Sequence, residues 1–419
     1  MPTRGGWSPG WYPLCQSGIA GLIVVLMTVL PKGVHREEVA MTQSIPRRVL
    51  GGTGLELSVL GLGGFHQVEI GVDHVSALLD AFLAAGGNYV ETARSYGGGS
   101  SEEKLGRLLE GRRDRIVLVT KSGKRDAEGA WAELNTSLEA LRTDHLDVWI
   151  HHGVNSEEEV ATIAGPGGAI EAHERAQREG LVRFSAASSH WPMTLITAME
   201  RLHLDAIMVW VNYLARCNYP ELEQIVMRAA RARGLGIIGM KPLGDGYLWR
   251  SPAAAFTYAL TQEVDVLACG FNAPEMLRAD IEAVVQWQRP SPEVLEAILR
   301  DAPELGDYIC RQCGVCRMAG LDLPRVYELE GKYDQQMFDG RPHEAADYAL
   351  RERLRFWFHN QERAQALYAP HAEAVAAALD SGRTLPECPY GIDLRHKTRL
   401  AHLKLTCGVP SFPRGVSTF

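Results

Sequence analysis

The chain has 419 residues, of which 46% are hydrophobic and 22% charged, and its formal net charge is −8. These proportions are ordinary for a soluble globular protein, and the length allows two or three domains. The negative charge argues against wide contact with nucleic acid phosphates, so no nucleic acid partner is expected. Eight cysteines in this length do not indicate a disulfide scaffold.

Residues 1–40 differ in character from the rest of the chain. Residues 18–30 form an apolar run that is too short to span a bilayer comfortably. We favour an upstream start, with the working protein beginning at Met41. A membrane anchor and a cleaved signal peptide stay open, although the residues after the run lack a small-x-small cleavage pattern. Contact with a membrane is expected only if residues 18–30 are retained as an anchor.

Strand-like and helix-like segments alternate from Arg48 onward. The predicted strands lie at 57–64, 89–91, 116–120, 146–150, 181–187, 206–211, 236–241 and 264–269. The predicted helices lie at 75–85, 100–109, 128–142, 168–179, 193–203, 220–233, 252–262 and 274–287. These strand–helix units predict an α/β fold in which a parallel sheet closes into a (β/α)8 TIM barrel over residues 47–289.

The glycines after the first strand argue against an open doubly wound sheet. Such a sheet usually carries G-x-G-x-x-G at that place. Gly61-Leu-Gly63-Gly64 is instead followed by Phe65-His66, with no third glycine in the required position. We therefore interpret these glycines as a tight turn of a barrel.

The pattern changes after Pro290, where helical segments replace strands. These segments lie at 292–301, 324–331, 343–380 and 392–405. Residues 290–419 are therefore expected to form a second, mostly helical module. Three cysteines lie within seven residues of this module. Such crowding indicates a metal site in a reducing compartment, and hence a cytoplasmic location.

Polar side chains follow the second, third and fourth predicted strands. Glu91 ends the second strand and Tyr96 comes five residues later, while Lys121 and His152 follow the next two strands. The carboxyl ends of parallel strands meet at the mouth of a barrel, where catalysis usually takes place. A tyrosine can act there as a general acid only if a cation or a histidine lowers its pKa, and Lys121 and His152 are candidates for that role.

Each of these residues also has a structural explanation when it is taken alone. Lys121 could pair with a neighbouring carboxylate, and a lone Tyr96 would more often be structural than catalytic. His151 and His152 point to opposite faces of one strand, so at most one of them enters the site. The occurrence of four such residues in this order at strand ends favours the joint, functional interpretation.

The order of these residues resembles the aldo-keto reductase family over residues 47–285. The motifs that carry the resemblance are Glu91-Thr-Ala, Tyr96-Gly97, Lys121, His152 after Asp147, Ser188-Ser189-His190, Asn212-Tyr213 and Met240-Lys-Pro-Leu-Gly-Asp-Gly246. The resemblance implies a catalytic tetrad in which Tyr96 protonates a carbonyl oxygen as a hydride arrives. Lys121 would lower the tyrosine pKa, and His152 would orient the carbonyl. Glu91 would hold the lysine charged, and His151 would pack against a helix.

The sequence departs from the family at two positions. Family members carry aspartate where Glu91 stands, and usually glycine where Ala186 stands. The extra methylene of Glu91 moves its carboxylate by about 1.5 Å in a site that tolerates little displacement. We therefore expect either a shifted pairing with Lys121 or changed chemistry.

The resemblance also implies a nicotinamide dinucleotide bound across the loops after strands seven and eight. Ser188 and Asn212 would contact its carboxamide, and glycines would let the backbone approach the pyrophosphate. The expected cofactor-binding residues are Ser188, Asn212, Lys241, Gly244, Gly246, Gly270 and Asn272. No basic residue follows Cys269 before Arg278, whereas a 2′-phosphate usually meets an arginine or a lysine. The choice among NADPH, NADH and no dinucleotide therefore stays open.

The segment Cys310-Arg-Gln-Cys313-Gly-Val-Cys316 has C-x2-C-x2-C spacing. Two-residue gaps wrap a loop so that three thiolates converge on one cubane. Cys388 precedes a proline and a Gly-Ile-Asp segment, which resembles the setting of the fourth ligand in ferredoxin-like domains. Cys310, Cys313, Cys316 and Cys388 are therefore expected to bind one [4Fe–4S] cluster. The chain resembles, end to end, the branch of aldo-keto reductase-like proteins with a C-terminal cluster-binding region.

Structural zinc and a degenerate cluster bound by three cysteines are the alternatives for this segment. The C-x2-C-x2-C run packs its ligands more tightly than paired C-x2-C zinc knuckles do. Cys407 is close enough in sequence to substitute as a ligand, but it lacks the following proline. Cys15, Cys217 and Cys269 are most simply small apolar residues.

The expected function is that of an oxidoreductase that reduces a carbonyl group of a small-molecule substrate. The cluster would relay electrons to or from the barrel site, with an electron-transfer partner, or would hold the C-terminal segment over the barrel mouth. The alternative is a non-catalytic barrel that serves as a scaffold, with a structural or redox-sensing cluster. Tyr96, Lys121 and His152 favour the enzyme, whereas Glu91 favours the scaffold. The substrate is not readable because substrate loops vary within this fold.

Overall fold

The computed structural model of the protein describes residues 44–334 and 360–408. The expectations for residues 1–40, including the apolar run, lie outside these ranges, as does the first part of the helix predicted at 343–380. None of the helices in the described ranges has both the length and the apolar character that crossing a membrane requires.

A short antiparallel hairpin opens the described chain. Its strands are β1 (Arg47–Val49) and β2 (Glu56–Ser58). Ser58 donates its backbone N–H to Asn88 Oδ1 at 2.7 Å and its hydroxyl to Leu60 O at 2.7 Å, so the chain bends directly after the hairpin. The prediction of a single strand at 57–64 is therefore wrong, because the segment divides between the hairpin and a separate strand, β3 (Leu60–Gly63).

Eight parallel strands close into a barrel, which confirms the predicted (β/α)8 architecture. The strands after β3 are β4 (Tyr89–Glu91), β5 (Val117–Ser122), β6 (Leu146–His151), β7 (Val182–Ser188), β8 (Ala206–Trp210), β9 (Gly236–Met240) and β10 (Val266–Cys269). Strands that follow one another in sequence are neighbours in the sheet, and β10 pairs with β3 to close it.

The register of the sheet brings the carboxyl ends of the strands to one mouth. Glu91 on β4 pairs with Val119 on β5, and Lys121 on β5 pairs with Ile150 on β6. Val119 and Lys121 lie two residues apart, so their side chains share one face of the strand. Glu91 and Lys121 therefore lie beside each other at the same end of the barrel.

The hairpin fills the opposite end of the barrel. Leu50, Leu55 and Leu57 belong to the same buried cluster as interior strand residues such as Tyr89. A Cβ added to Gly236, at the beginning of β9, would overlap the Leu50 side chain. The apolar hairpin residues thus seal the amino-terminal end of the strands and leave the other end for the site.

Ten helices are labelled along the barrel segment of the described chain. They are α1 (Val72–Ala84), α2 (Ser100–Leu108), α3 (Ala127–Leu141), α4 (Glu157–Ala164), α5 (Ala169–Arg178), α6 (Thr194–Arg201), α7 (Tyr213–Asn218), α8 (Arg228–Ala232), α9 (Pro252–Thr261) and α10 (Pro274–Val285). The helices α4 and α7 were not predicted. The helix predicted at 220–233 begins instead as a π-helical turn at Leu222–Met227 and continues as α8.

The segment after the barrel is mostly helical, as predicted. Its elements are α11 (Pro292–Asp301), β11 (Arg317–Met318), β12 (Leu321–Asp322), α12 (Leu323–Tyr333), α13 (Gln361–Tyr368), α14 (Ala372–Asp380) and α15 (Leu394–Cys407). The small β11–β12 hairpin was not expected. The helix predicted to continue to residue 380 is broken by Pro370, where Ala369–His371 forms a 3-10 turn. Cys316, Tyr327 and Tyr368 belong to the buried cluster of this segment.

Candidate active site and cysteine site

Lys121 lies between Glu91 and Tyr96 at the mouth of the barrel. Its side chain is almost fully buried near the end of β5. Its Nζ contacts the Glu91 carboxylate and donates hydrogen bonds to Tyr96 OH at 3.0 Å and to Thr92 O at 2.8 Å. The glutamate therefore reaches the lysine despite its extra methylene. The expectation of a shifted pairing or of changed chemistry stays a prediction.

Tyr96 projects from a tight turn between β4 and α2. Gly97 and Gly98 in this turn have φ angles of 58° and 62°, a backbone conformation that other residues rarely adopt. The rings of Phe65 and His152 pack edge-on against the Tyr96 ring, with centroid separations of 5.2 and 5.9 Å. The tyrosine ring is therefore held by two neighbours while its hydroxyl faces the lysine.

Arg94 and Glu102 hold this turn, and neither was identified from the sequence. Arg94 Nη1 lies 2.6 Å from Glu102 Oε2, and the other carboxylate oxygen, Oε1, accepts a hydrogen bond from Thr120 Oγ1 at 2.7 Å. A Cβ added to Gly99 would overlap the Arg94 guanidinium. The sequence showed Glu102 only as an acid in the first turn of a helix, because no spacing rule pairs it with Arg94.

His152 faces the mouth of the barrel, whereas His151 faces outward. The His151 ring stacks on His173 of helix α5 at 3.6 Å, so it packs against a helix as expected. His152 Nδ1 lies 3.5 Å from Ser95 Oγ. Burial, with the nearby charge of Lys121, lowers the pKa of His152 to about 3. This histidine is therefore neutral at neutral pH.

Burial determines the protonation states of Tyr96 and Lys121. Burial raises the pKa of Tyr96 above its usual value, with smaller contributions from Tyr89 and Asp245. The lowering of this pKa by a charged Lys121 stays a prediction, because the causes of the shift are burial, Tyr89 and Asp245. Burial lowers the pKa of Lys121, whereas contact with Glu91 favours the charged ammonium. Tyr96 is therefore protonated at neutral pH and suited to donate a proton.

Two residues expected to bind the carboxamide of a dinucleotide have structural partners. Ser188 Oγ accepts a hydrogen bond from Gly153 N at 2.9 Å. Asn212 Oδ1 accepts one from Ala215 N at 2.7 Å and so caps helix α7, while its Nδ2 donates to Lys241 O at 2.9 Å. These bonds fix the orientation of both side chains at the ends of β7 and β8.

The loop after β9 contains an ion pair that was not predicted. Lys241 Nζ lies 3.0 Å from Asp245 Oδ2. Lys241, Gly244 and Asp245 each have a φ angle of 56°, and Gly246 has one of 96°. Left-handed conformations in residues other than glycine store strain, which is concentrated at functional loops. Asp245 could not be found from spacing because only the backbone conformation turns it toward the site.

The loop after β10 is joined to the loop after β3. A Cβ added to Gly270 would overlap the His66 ring, so the glycine serves close packing at this position. Asn272 Nδ2 donates to Glu69 Oε2 at 2.8 Å. Gly270 and Asn272, both expected at a cofactor, thus lie at a contact between two mouth loops.

Cys310, Cys313, Cys316 and Cys388 line one shared cavity. Gln312 adopts a φ angle of 57° and donates its backbone N–H to Cys310 Sγ at 3.4 Å. Burial, with Cys310 and Cys313 nearby, raises the pKa of Cys316 to about 12. Among residues 44–334 and 360–408, no group of three or more His, Cys, Asp or Glu side chains is arranged to hold a metal ion. The four thiols therefore share a cavity without the close spacing of ligands around one ion.

The other described cysteines lie outside the lining of this cavity. Cys217 on α7 and Cys269 on β10 are buried, and Cys269 Sγ donates to Asp280 Oδ2 at 3.3 Å. Cys407 is exposed at the end of α15. Burial raises the pKa of Cys217 to about 12. Cys217 shares a buried cluster with Ile309, directly before Cys310, so the cysteine loop adjoins helix α7 of the barrel.

A closed parallel barrel with polar side chains at the carboxyl ends of its strands has the architecture of a TIM-barrel enzyme. The model of the Aldo/keto reductase family matches residues 59–298. The chain therefore belongs to the aldo/keto reductase family and is an oxidoreductase. The family match ends before the first of the four cavity cysteines.

Curated relatives resemble this chain in sequence, and solved structures resemble it in fold. The oxidoreductase YqkF of Bacillus subtilis is 30% identical over 218 residues, which cover 47% of this chain and 68% of that protein. L-galactose dehydrogenase of Arabidopsis thaliana is 27% identical over 223 residues, covering 49% and 67%. The holo form of an aldo-keto reductase from Bacillus halodurans has a TM-score of 0.53 at 23% identity, covering 61% and 95%. An aldo-keto reductase from Pseudomonas aeruginosa has a TM-score of 0.53 at 25% identity, covering 60% and 99%.

Proposed function

We propose that this oxidoreductase reduces a carbonyl group of a small-molecule substrate, with NAD(P)H as the hydride donor. The observation that carries the proposal is the 3.0 Å hydrogen bond from Lys121 Nζ to Tyr96 OH, with Glu91 in contact with the lysine. A nicotinamide dinucleotide supplies, when bound, a hydride to the carbonyl carbon. The chain must then supply a proton to the carbonyl oxygen, which gives an alcohol.

Tyr96 is the proton donor in this proposal. Its hydroxyl is protonated at neutral pH because burial raises its pKa. As the proton leaves, negative charge develops on the phenolic oxygen next to Lys121, and the ammonium group stabilises that charge. Glu91 keeps the lysine charged in spite of burial. The cation therefore acts at the moment of proton transfer rather than on the resting tyrosine.

His152 orients the carbonyl group as a neutral hydrogen-bond donor. Its pKa of about 3 excludes an imidazolium at neutral pH. Ser95 Oγ lies near Nδ1, so the hydroxyl can donate to Nδ1 while Nε2 carries the imidazole proton and donates to the carbonyl oxygen. A neutral imidazole polarises a carbonyl without competing with Tyr96 for the role of acid.

The ends of β7, β8 and β9 fit a dinucleotide. Ser188 keeps its hydroxyl proton, and Asn212 keeps one amide proton beyond its bond to Lys241 O, so both can donate to a carboxamide oxygen. The left-handed backbone at Gly244 and Gly246 allows close approach of a pyrophosphate. The proposed contacts are Ser188, Asn212, Lys241, Gly244, Gly246, Gly270 and Asn272.

The test is carbonyl reduction by Tyr96→Phe. Oxidation of NAD(P)H with a panel of small aldehydes and ketones should fall by ~10²-fold or more, because the proton donor is removed. Tyr327→Phe is the matched control, since it removes a phenol that bonds Thr398 Oγ1 at 2.6 Å in the C-terminal segment. The control should keep full turnover. Unchanged turnover in Tyr96→Phe would exclude the tyrosine from the reaction.

We also propose that Cys310, Cys313, Cys316 and Cys388 bind one [4Fe–4S] cluster. Their shared cavity supports the proposal, as does the backbone N–H of Gln312 on Cys310 Sγ, since hydrogen bonds to cysteine sulfur are a regular feature of such centres. The sulfurs would move together on ligation, so metal binding would complete the fold of residues 290–419. A cytoplasmic location is part of this proposal, because thiolate ligands require a reducing compartment.

The cluster would relay electrons between the site in the barrel, residues 47–289, and an electron-transfer partner, or would hold the C-terminal segment on the barrel. Helix α7 supports the relay because it connects the two regions. It begins after Asn212 at the mouth, and Cys217 near its end packs in one buried cluster with Ile309, directly before Cys310. A helix of six residues is about 9 Å long, so the connection is short.

A further inference from the structure

Asn155 joins two loops at the mouth of the barrel. It lies in the loop after β6, three residues beyond His152. Its Oδ1 accepts hydrogen bonds from His190 N at 2.7 Å and from Ser189 Oγ at 3.2 Å, in the loop that follows Ser188. The loop that carries the carbonyl-orienting histidine and the loop that carries a dinucleotide contact are therefore one hydrogen-bonded unit.

Arg363 on helix α13 holds this unit from the C-terminal segment. Its Nη1 donates to Asn155 O at 2.7 Å, and its guanidinium lies 4.0 Å from the centre of the Trp191 ring. The hydrogen bond is charge-assisted, and the planar guanidinium suits stacking on an indole. One side chain thus contacts both mouth loops at once.

Asn360, directly before α13, makes a second contact with the same region. Its Nδ2 donates to Tyr219 OH at 2.9 Å and, with a longer bond of 3.4 Å, to His190 O. The Tyr219 ring packs against Trp210 of β8 at 5.0 Å, and the His190 ring stacks on the same tryptophan at 5.2 Å. The start of α13 is therefore fixed to the barrel through the Tyr219 hydroxyl and the His190 backbone oxygen.

Helix α13 is in turn fixed within the C-terminal segment. Ala364, the residue after Arg363, and Tyr368, one turn further along the helix, are buried in the core that also contains Leu405 of α15. Tyr368 OH lies 2.6 Å from His402 Nδ1 on α15. A displacement of α15, which follows the Cys388 loop, would therefore carry α13 with it.

We propose that Arg363 is a positioning residue for the proposed dinucleotide site. It sets the separation of the His152 and Ser188 loops through Asn155 O and the Trp191 ring, and so makes the C-terminal segment a working part of the barrel mouth. The proposal rests on the proposed function for its effect on cofactor binding. It goes beyond that function by assigning to α13 a role in the barrel chemistry.

The variants that test it are Arg363→Met and Arg363→Lys. Methionine keeps much of the side-chain volume but cannot donate to Asn155 O, and lysine keeps the charge without the planar fork. The matched control is Arg175→Met on α5, because the Arg175 guanidinium stacks on Trp131 at 3.6 Å on the barrel exterior. The control loses the same kind of contact at a place away from the mouth.

Hydrogen exchange of the His190 amide provides a readout that does not depend on activity. Exchange in peptides containing His190 should be at least about tenfold faster in Arg363→Met, because its acceptor Asn155 loses an anchor. Arg363→Lys should show a smaller increase, and Arg175→Met none. Unchanged exchange at His190 in Arg363→Met overturns the proposal, whatever the activity of the variant.

Cofactor titration gives the second readout. The Kd for NAD(P)H and the KM for the carbonyl substrate should rise roughly 3- to 10-fold in Arg363→Met, with a smaller change in kcat, since the loops are loosened while the tyrosine and the lysine stay in place. Faster exchange with unchanged Kd and KM overturns the positioning role. A wild-type protein that binds no dinucleotide overturns the proposed function itself, and the exchange data then decide the loop contact alone.

Discussion

The carboxylate of Glu91 and the ammonium group of Lys121 are in direct contact, and only 4% and 1% of these side chains are exposed. Removing one charge of such a pair leaves the other unpaired in a weakly polarisable interior, which costs about 3–5 kcal/mol. The pair therefore contributes to the stability of the barrel as well as to the chemistry proposed for its mouth. Removing one charge of the pair should lower both activity and stability, whereas removing both charges should lower activity and restore most of the stability.

Lys121→Met should abolish carbonyl reduction and lower the free energy of unfolding by about 3–5 kcal/mol, because Glu91 is left as an unpaired buried charge. Adding Glu91→Gln removes that charge and should restore most of the stability without restoring turnover. Urea unfolding and steady-state kinetics measure the two effects. A stability loss that persists in full in the double variant would show that the two residues are not coupled.

Glu91→Gln alone should move the alkaline limb of the kcat/KM profile to lower pH. The carboxylate favours the charged lysine, so without it burial lowers the pKa of Lys121 unopposed and the ammonium is lost earlier as the pH rises. Turnover at neutral pH should fall by ~10-fold or more. Glu103→Gln, at an exposed position of α2, should keep the wild-type profile. Movement of the limb toward higher pH would contradict this account.

The barrel was predictable because its strands are buried on both faces. Residues 116–120 form a continuous run of β-branched residues and leucine before Lys121, as such strands do, and helices intervene at regular intervals. The arrangement of Glu91, Tyr96 and Lys121 followed from one rule, that polar residues after successive parallel strands meet at one mouth. Helix α4 was missed although Ser156 and Glu159 form a capping box, which the sequence displays.

The remaining features depend on contacts and conformations that spacing does not encode. The pairing of Arg94 with Glu102 requires the folded course of a glycine-rich turn. The position of Asp245 requires a left-handed backbone, which is uncommon for residues other than glycine. The raised pKa of Tyr96 follows from the depth of its burial, which packing decides after the chain has folded.

Cys388→Ala should lose most of the iron from protein purified without oxygen, because a cubane with four cysteine ligands loses one corner. The region after Pro290 should also become sensitive to protease, since ligation contributes to its folding, while the barrel stays intact. Iron and zinc analysis, the visible spectrum and limited proteolysis measure these effects. Cys407→Ala, which removes an exposed thiol, should retain both iron and protease resistance. Stoichiometric zinc in the wild-type protein in place of iron would refute the cluster.

Asp280→Asn should stabilise the barrel at alkaline pH. Asp280 accepts a hydrogen bond from Cys269 Sγ, and burial raises its pKa to about 7. The folded chain therefore holds this proton to higher pH than the unfolded chain does. The resulting stability is fully present below about pH 4, the unfolded pKa, and is lost as the pH rises toward 7. Asparagine should flatten that decline and raise the free energy of unfolding above wild type at about pH 8.

Urea unfolding of Asp280→Asn at about pH 5 and pH 8 provides the measurement. Asp80→Asn is the control, because a hydrogen bond from Arg112 lowers the pKa of that surface carboxyl instead. It should give no stabilisation at the higher pH. Equal unfolding free energies for Asp280→Asn and wild type at both pH values would contradict the assignment.

The hairpin that seals the barrel also bears on how the chain folds. Arg48 donates to Val264 O, and Gly51 N donates to Asp265 Oδ2 at 3.2 Å, across 216 and 214 positions of sequence. Bringing such distant segments together costs chain entropy before any contact repays it, and pairings of this kind slow folding. We therefore expect barrel closure to be the last and slowest step. During synthesis on the ribosome, β3 could not pair with β10, the eighth strand of the barrel, until β10 had left the ribosome.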